Sequence, residues 1–445
     1  MNRQLTHDLR SHGVVPIAIL FWAVGVPFLG AAFLLSGSRQ FSYVFYAGTF
    51  FFFFAALLKA VLGRGTMIPV PLLFSYALFF LVLLLATLRS QLLLPFAKDI
   101  LQFRSLLGLW VWSLVMVLVP QFLRSSQDVT RFLRLFDVTG LVIAGTVFIS
   151  FFGVDFGETI VFDTGERRAF GPVGDQVGFV LSFFAVRAIC LRNWLRFVLY
   201  VCAILATATR GAIFTVFVGV LVVTFLNLRR DTLQSHGQSL GRGILRWFGI
   251  LLSIGLLFFV LVATPFGTYF LERFTNPESL GMSAIQRLGA MLLAMDVVMD
   301  HPWLGVGFYG YSGAVWNYSP LYYFPFALDP AILQNFIATA SNQYLQTLSD
   351  AGFLGFAALM ALIASAIFVL GRAQRTSEGV LRVEAAGLLG WCVALVLGNQ
   401  TACWLLPDSL IGYIWFFCVG VGTAILSISL QSKADLTKCA EVLPS

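Results

Sequence analysis

The sequence predicts an all-α, polytopic membrane protein with about twelve transmembrane helices and one long outward loop that carries short helices. Three observations predict it. Of 445 residues, 59% are hydrophobic and 11% charged, whereas a soluble domain carries about 25% charged residues. Mean hydropathy is +0.89, so the chain cannot cover a water-facing surface. Apolar runs recur near 13–36, 41–63, 69–88, 104–123, 135–153, 170–189, 193–208, 211–227, 244–264, 351–370, 382–400 and 409–430, most of them near the roughly 20 residues that cross a bilayer as helix. Finally, with these runs as spans, 19 of the 28 Lys and Arg fall on the side of the N-terminus and 9 on the other. That bias puts both termini in the cytoplasm. A soluble enzyme, a secreted module and a disordered scaffold are excluded.

The elements follow in order. The first run comes after Arg3 and Arg10 and is longer than a signal-peptide core, so it reads as an uncleaved anchor. The runs 193–208 and 211–227 are divided by Thr207-Ala208-Thr209-Arg210-Gly211, which splits them into two short spans. One undivided span would place the basic loops 228–246 and 371–382 outside. The layout is therefore 1–264 with helices one to nine, an outward loop at 265–350, the last three helices at 351–430, and a cytoplasmic tail at 431–445. In the loop, Ile285, Leu288, Leu292, Met295 and Met299 recur three and four apart. This is one face of an amphipathic helix, with Ser283 as its cap. A second helix starts near Ser341 and runs into the span at 351. The six cysteines form no CxxC pair and lie mostly in apolar runs, which suggests neither a disulfide framework nor a metal site.

Three features rise above this apolar background. Arg210 stands at the outward end of a span beside Gly211. An arginine at membrane depth has a partner or faces a cavity, and its fork matches phosphate; the alternative is snorkelling to headgroups. Arg287 falls in the first turn of the loop helix, where a cation opposes the helix dipole; the alternative is a solvated polar face. Third, Asp300-His301-Pro302-Trp303-Leu304-Gly305-Val306-Gly307 ends that helix, and Ser341-Asn342-Gln343 opens the next. A helix N-terminus there suits an anion, or the residues simply cap. Asn342 and Gln346, one turn apart, share a face. The aromatic stretch containing Trp303, Tyr309 and Tyr311 suits sugar stacking, or an interfacial belt. The charges of 154–169 read as solvated ion pairs worth little individually. No D-x-D pair and no Walker A motif occurs, which disfavours a metal-bound nucleotide-sugar site and ATP-driven transport.

In order and spacing, these motifs resemble the O-antigen ligase/polymerase family of bacterial surface-polysaccharide assembly. Thr207–Ala212 resembles its Ser/Thr-x-Arg-Gly signature, and Arg168–Asp175 its Gly-rich approach to a span. Arg287 through Gly307 resembles its Arg followed by D-x-P-x-x-G-x-G, and Ser341–Leu345 with Gly352 and Gly355 the next motif. Leu406-Pro407-Asp408-Ser409 fits before the last span. The resemblance covers about 160–430. It implies a GT-C-like fold, similar to other membrane-embedded glycosyltransferases, in a multi-pass protein of the bacterial inner membrane with a periplasmic site. The implied chemistry is metal-independent and inverting, with no cofactor. Arg210 and Arg287 match the arginines implied to bind the diphosphate of an undecaprenyl-linked glycan.

Ligases of the family carry a His where this chain has Ser341. That departure favours a polymerase joining undecaprenyl-diphosphate-linked oligosaccharide repeats, of O-antigen or exopolysaccharide type. A ligase passing glycan to lipid A–core or another acceptor is the near alternative. A polysaccharide or lipid transporter is the alternative of another class, disfavoured because the spans read as nearly free of central charge. Asp300, His301, Asp350 and Glu272 are the replacement bases considered, and Asp300 and His301 join the arginines as catalytic candidates. Arg168, Ser341, Asn342, Gln346, Trp303, Tyr309 and Tyr311 are the substrate-binding candidates. Expected partners are the lipid-linked glycan, membrane lipid, and flippase and chain-length regulator proteins, with no nucleic acid.

Overall fold

In hydrocarbon every backbone N–H and C=O must be paired within its own segment, so an apolar run folds as a helix. The computed structural model describes residues 17, 20–25, 40–61, 66–94, 100–154, 176–207, 209–234, 277–324, 333–334, 337–398, 403–405 and 409–442. Among these residues the chain forms helices and no strand. In chain order they are α1 Gln40–Val61, α2 Val70–Leu93, α3 Ile100–Ser113, α4 Val115–Phe122, α5 Ser126–Phe151, α6 Val177–Cys190, α7 Trp194–Thr207, α8 Arg210–Gln234, α9 Pro277–Asp300, α10 Tyr311–Ala314, α11 Gln343–Thr376, α12 Gly379–Gly398 and α13 Leu410–Val442.

Seven described segments are long and apolar enough to cross a membrane: α2, the α3–α4 pair, α5, α8, α11, α12 and α13. The chain is thus an all-helical polytopic membrane protein. Shorter apolar helices cover 47–59 and the whole of α6 and α7. The division at Thr207–Gly211 holds, with α7 ending at Thr207 and α8 beginning at Arg210. The run 244–264, the loop 155–175 and most of 13–36 lie outside the described residues.

Local chemistry sets the helix starts. Ser125 caps α5 by accepting from Asp128 N at 3.1 Å, while the Asp128 carboxylate accepts from Ser125 N at 3.1 Å; the two orphan donors are satisfied reciprocally. Pro69 and Pro71 stand at the start of α2, where a missing N–H costs no helical bond.

Lipid tails are as apolar as leucine, so helix association rests on close packing and polar contacts. The helices α6, α8 and α12 pack on one another through small residues. A methyl group at Gly390 would lie 2.5 Å from the Val223 side chain and 3.1 Å from Gly219 O. The long helix α13 is the most buried of the candidate spans, and its Phe417 ring stacks on Phe136 at 4.3 Å.

Charge is nevertheless buried near the ends of three spans, at Asp137, Arg187 and Glu384. Arg187 of α6 forms a two-bond fork with Glu384 of α12, 2.7 Å at each bond, and also pairs with Asp137 of α5. Arg196 of α7 reaches Asp137 at 3.0 Å. Four formal charges, two of each sign, tie four helices together. A buried charge is tolerated when paired in this way.

Candidate functional site

At one end of the bundle the C-terminal end of α2 and the N-termini of α8 and α11 meet the loop that begins with α9. Arg210 arrives there through a helix break. Thr209 O accepts from Ala212 N at 3.1 Å and Ile213 N at 3.4 Å, which starts α8. The Thr207 hydroxyl accepts from Thr209 N at 3.3 Å. The break packs on the start of α6, where a methyl group at Gly211 would come within 2.6 Å of the Phe179 ring.

Arg210 is therefore the first residue of α8, and it is Arg210 that sits against the helix dipole. The expectation placed Arg287 in that position and Ser283 at the cap. Instead α9 begins at Pro277, so Ser283 lies inside the helix and Arg287 in its middle. The apolar periodicity forms a single face, and that face is exposed: Ile285, Leu288, Leu292, Met295 and Met299 point outward, while Ala290, Leu293, Ala294 and Val297 are buried. Small and branched residues on the other side of α9 build a second core with Tyr311, Val315, Phe324 and Ala340.

Arg287 lies within electrostatic reach of Arg210. Arg287 is exposed as a residue, but its guanidinium loses part of its hydration. That desolvation, and then the nearby charge of Arg210, lower its pKa from the ordinary arginine value. No carboxylate among the described residues forms an ion pair with Arg287. Two guanidiniums held within electrostatic reach favour a ligand with at least two anionic oxygens. Among the described residues no three His, Cys, Asp or Glu side chains converge as a metal site.

Behind the arginines, the loop 302–311 is clasped between α2, α3 and α11. Val306 N donates to Ser349 O at 2.9 Å and Gly307 N to Asp350 O at 2.8 Å. The Asp350 carboxylate, buried, accepts from Tyr311 N at 3.1 Å and Gln346 Nε2 at 3.0 Å. From α2, Arg89 donates to Gly305 O at 2.9 Å, the Thr87 hydroxyl accepts from Phe308 N at 3.1 Å, and the Ser90 hydroxyl donates to Val306 O at 2.5 Å. At Gly352 the chain leaves helical geometry, with φ 65° and ψ −166°. The amides beyond it turn to the loop: Phe353 N donates to Pro302 O at 2.7 Å and Leu354 N to Trp303 O at 3.3 Å. The backbones touch here, since a Cβ on Gly352 would lie 2.2 Å from Trp303 C and one on Gly305 2.4 Å from Ser349 O. Both glycines have positive φ, which only glycine adopts at low cost.

The other predicted residues are placed as follows. Asp300 ends α9 and accepts from the Tyr318 hydroxyl. His301 is half-buried; desolvation and then the Arg89 charge lower its pKa, against the opposing pull of Asp300. Thirteen residues separate Arg287 from Asp300 in one helix, about 20 Å at 1.5 Å per residue. Asn342 caps α11, accepting from Tyr344 N at 2.9 Å and Leu345 N at 3.2 Å, and Ser341 before it has φ 54°. Gln346 is buried, its oxygen accepting from Ala340 N at 2.8 Å and its nitrogen bound to Asp350. Tyr311 is buried with its hydroxyl on Ala290 O at 3.0 Å. Tyr309 is half-buried in a left-handed conformation. Trp303 is exposed against Phe353. Arg168 lies outside the described residues.

Sequence reasoning missed Thr87, Arg89, Ser90 and Gln102 as supports of the loop. A polar cluster at the end of an apolar span was the available signal.

A family model described as O-antigen ligase matches residues 195–360. This segment is thus similar to the O-antigen ligase family. The family match runs from α7 into α11 and takes in both arginines, the clasped loop and the α11 cap. The family's general activity is of O-antigen ligase or polymerase type, on lipid-linked glycans in membranes. The α2 supports and the buried charge cluster of α5, α6 and α12 lie beyond the matched family segment. A search of curated proteins finds no match.

Proposed function

We propose that the protein is a polysaccharide polymerase that joins undecaprenyl-diphosphate-linked repeat units at the periplasmic face of the bacterial inner membrane. What supports this reading is that Arg210, the first residue of α8, and Arg287 of α9 lie within electrostatic reach of each other. A diphosphate between them relieves that repulsion. The first-turn N–H groups of α8 add to the field at Arg210. In the reaction a sugar hydroxyl of the acceptor attacks the anomeric carbon of the donor glycan. The new glycosidic bond forms as the carbon–oxygen bond to the diphosphate breaks, and the electron pair leaves on the diphosphate. The hydroxyl proton passes to a base. The two guanidiniums stabilise the charge that develops on the leaving group, without a metal and with inversion.

Asp300 and His301 stand too far along α9 to serve the same reacting carbon as Arg287, and we assign them to holding the loop. Ser341, in the position of the ligase His, favours polymerase. A ligase, the printed description of the matching family model, is the second reading.

The test is the polysaccharide chain-length profile of a strain lacking the protein, complemented with wild type, Arg210→Ala, Arg287→Ala or both, at matched membrane levels. Accumulation of single lipid-linked repeats, with each Arg variant failing and the double variant no worse than either single, supports one shared diphosphate site. Long chains that stay on the carrier identify a ligase. Normal polymer from both single variants sinks the assignment.

A further inference from the structure

The helix α9 carries a surface that glycosyl transfer does not use. Ile285, Leu288, Leu292, Met295 and Met299 are 46% to 75% exposed, and their spacing of three and four places them on one face. The opposite face is filled by the second core. The helix has 24 residues, and its described part is not among the candidate spans.

What covers the stripe follows from its continuity with the exposed surface of a candidate span. Beyond Met299 the chain turns at Pro302, and Trp303 is exposed with its ring 6.4 Å from that of Phe353. Phe353 and Leu354 are exposed on the candidate span α11, which faces acyl chains in a membrane protein. The amides of these two residues bond the Pro302 and Trp303 carbonyls, so the end of α9 is pinned to the lipid-facing side of the bundle. The polar flanks of α9 differ: Arg287 lies on one, while on the other Asp296 accepts from the Tyr323 hydroxyl and Asp300 from Tyr318. An exposed apolar stripe, polar flanks and a tryptophan at the hinge are the marks of a helix lying in a membrane interface.

We infer that α9 is an interfacial helix whose stripe is seated among the acyl chains of the leaflet at the Arg210 end of the bundle. The partner is the lipid bilayer itself. Arg287 then lies at headgroup depth, where a lipid-borne phosphate meets it by lateral diffusion. The seating does not depend on glycosyl transfer, because the stripe enters lipid whatever the arginines hold.

Spin labels test it. The full chain, with its six cysteines replaced, is labelled at Leu292→Cys, Met295→Cys or, as an exposed control, Asn317→Cys, and reconstituted in phosphatidylcholine/phosphatidylglycerol nanodiscs. Collision with oxygen should exceed collision with a water-soluble nickel chelate several-fold at 292 and 295, and the order should reverse at 317. Labels at 292 and 295 that behave like 317 place the stripe in water and overturn the inference. Labels shielded from both reagents place it under protein, a second copy included, and overturn it equally. The unmodified protein gives an independent reading with diazirine-tailed phospholipid. Photoproducts are expected in the peptide 285–299 as well as in α11; products in α11 with none in 285–299 refute the seating.

Discussion

Replacing Gly352 with alanine tests the clasp that holds the loop against α11. The residue has φ 65° and ψ −166°, a region open essentially to glycine, and an L-residue there costs about 1–3 kcal/mol. The added Cβ also meets backbone 2.2 Å away at Trp303 C and 2.3 Å away at Trp303 O. Backbone cannot swing aside as a side chain does, so overpacking adds about 1–3 kcal/mol. Separating the two segments weakens the bonds from Phe353 N and Leu354 N, each worth about 1 kcal/mol. The total is on the order of 4 kcal/mol, a large part of the ~5–15 kcal/mol that holds a domain folded. The control is in the same helix: Gly371 has open space around its Cβ position, and Gly371→Ala should gain up to about 1 kcal/mol from helix propensity. The assay is thermal unfolding of purified protein in nanodiscs, read by size exclusion after heating. Gly352→Ala should unfold many degrees below wild type and Gly371→Ala at or slightly above it. If both behave alike, the left-handed contact at Gly352 is not what fixes the loop.

Other outcomes follow from the same geometry. Glu384→Ala leaves Arg187 buried with one partner fewer and should cost about 3–5 kcal/mol in nanodisc unfolding. Activity per folded molecule should hold, because Arg187 lies nine residues along α6 from Gly178, which packs on Thr209, and so about 14 Å from the Arg210 break. Thr87→Val keeps the shape but strands the buried Phe308 N–H and should cost about 1–3 kcal/mol; Thr87→Ser should recover most of it in the same assay. His301 has a pKa lowered in the folded protein, so the folded state binds its proton less tightly than the unfolded chain. Its contribution to stability is present above the ordinary histidine pKa of about 6.5 and is lost as pH falls through that value towards the folded pKa. The drop in unfolding temperature between about pH 8 and about pH 5.5 should shrink in His301→Gln, and an unchanged drop would mean that the ring is hydrated as in a free chain.

The sequence by itself determined the helices. In a bilayer each span must satisfy its own backbone, so helix formation is a local property that hydropathy records. The break at Thr207–Gly211 was legible for the same reason, since a polar group and a glycine interrupt that local pattern. The motif glycines were legible as punctuation, but not the backbone that Gly305 and Gly352 meet, because close approach is a relation between segments. The periodicity of α9 was legible and its outward direction was not. Lipid and protein interior are both apolar, so a hydrophobic face in a membrane protein does not say which of the two it meets. Only the tertiary structure decided that Arg287 lies within electrostatic reach of Arg210, that Gln346 and Tyr311 are spent on internal bonds, and that Arg187 is paired with Glu384 and Asp137. Charges read along the chain carry no distances, and Coulomb energy depends on distance.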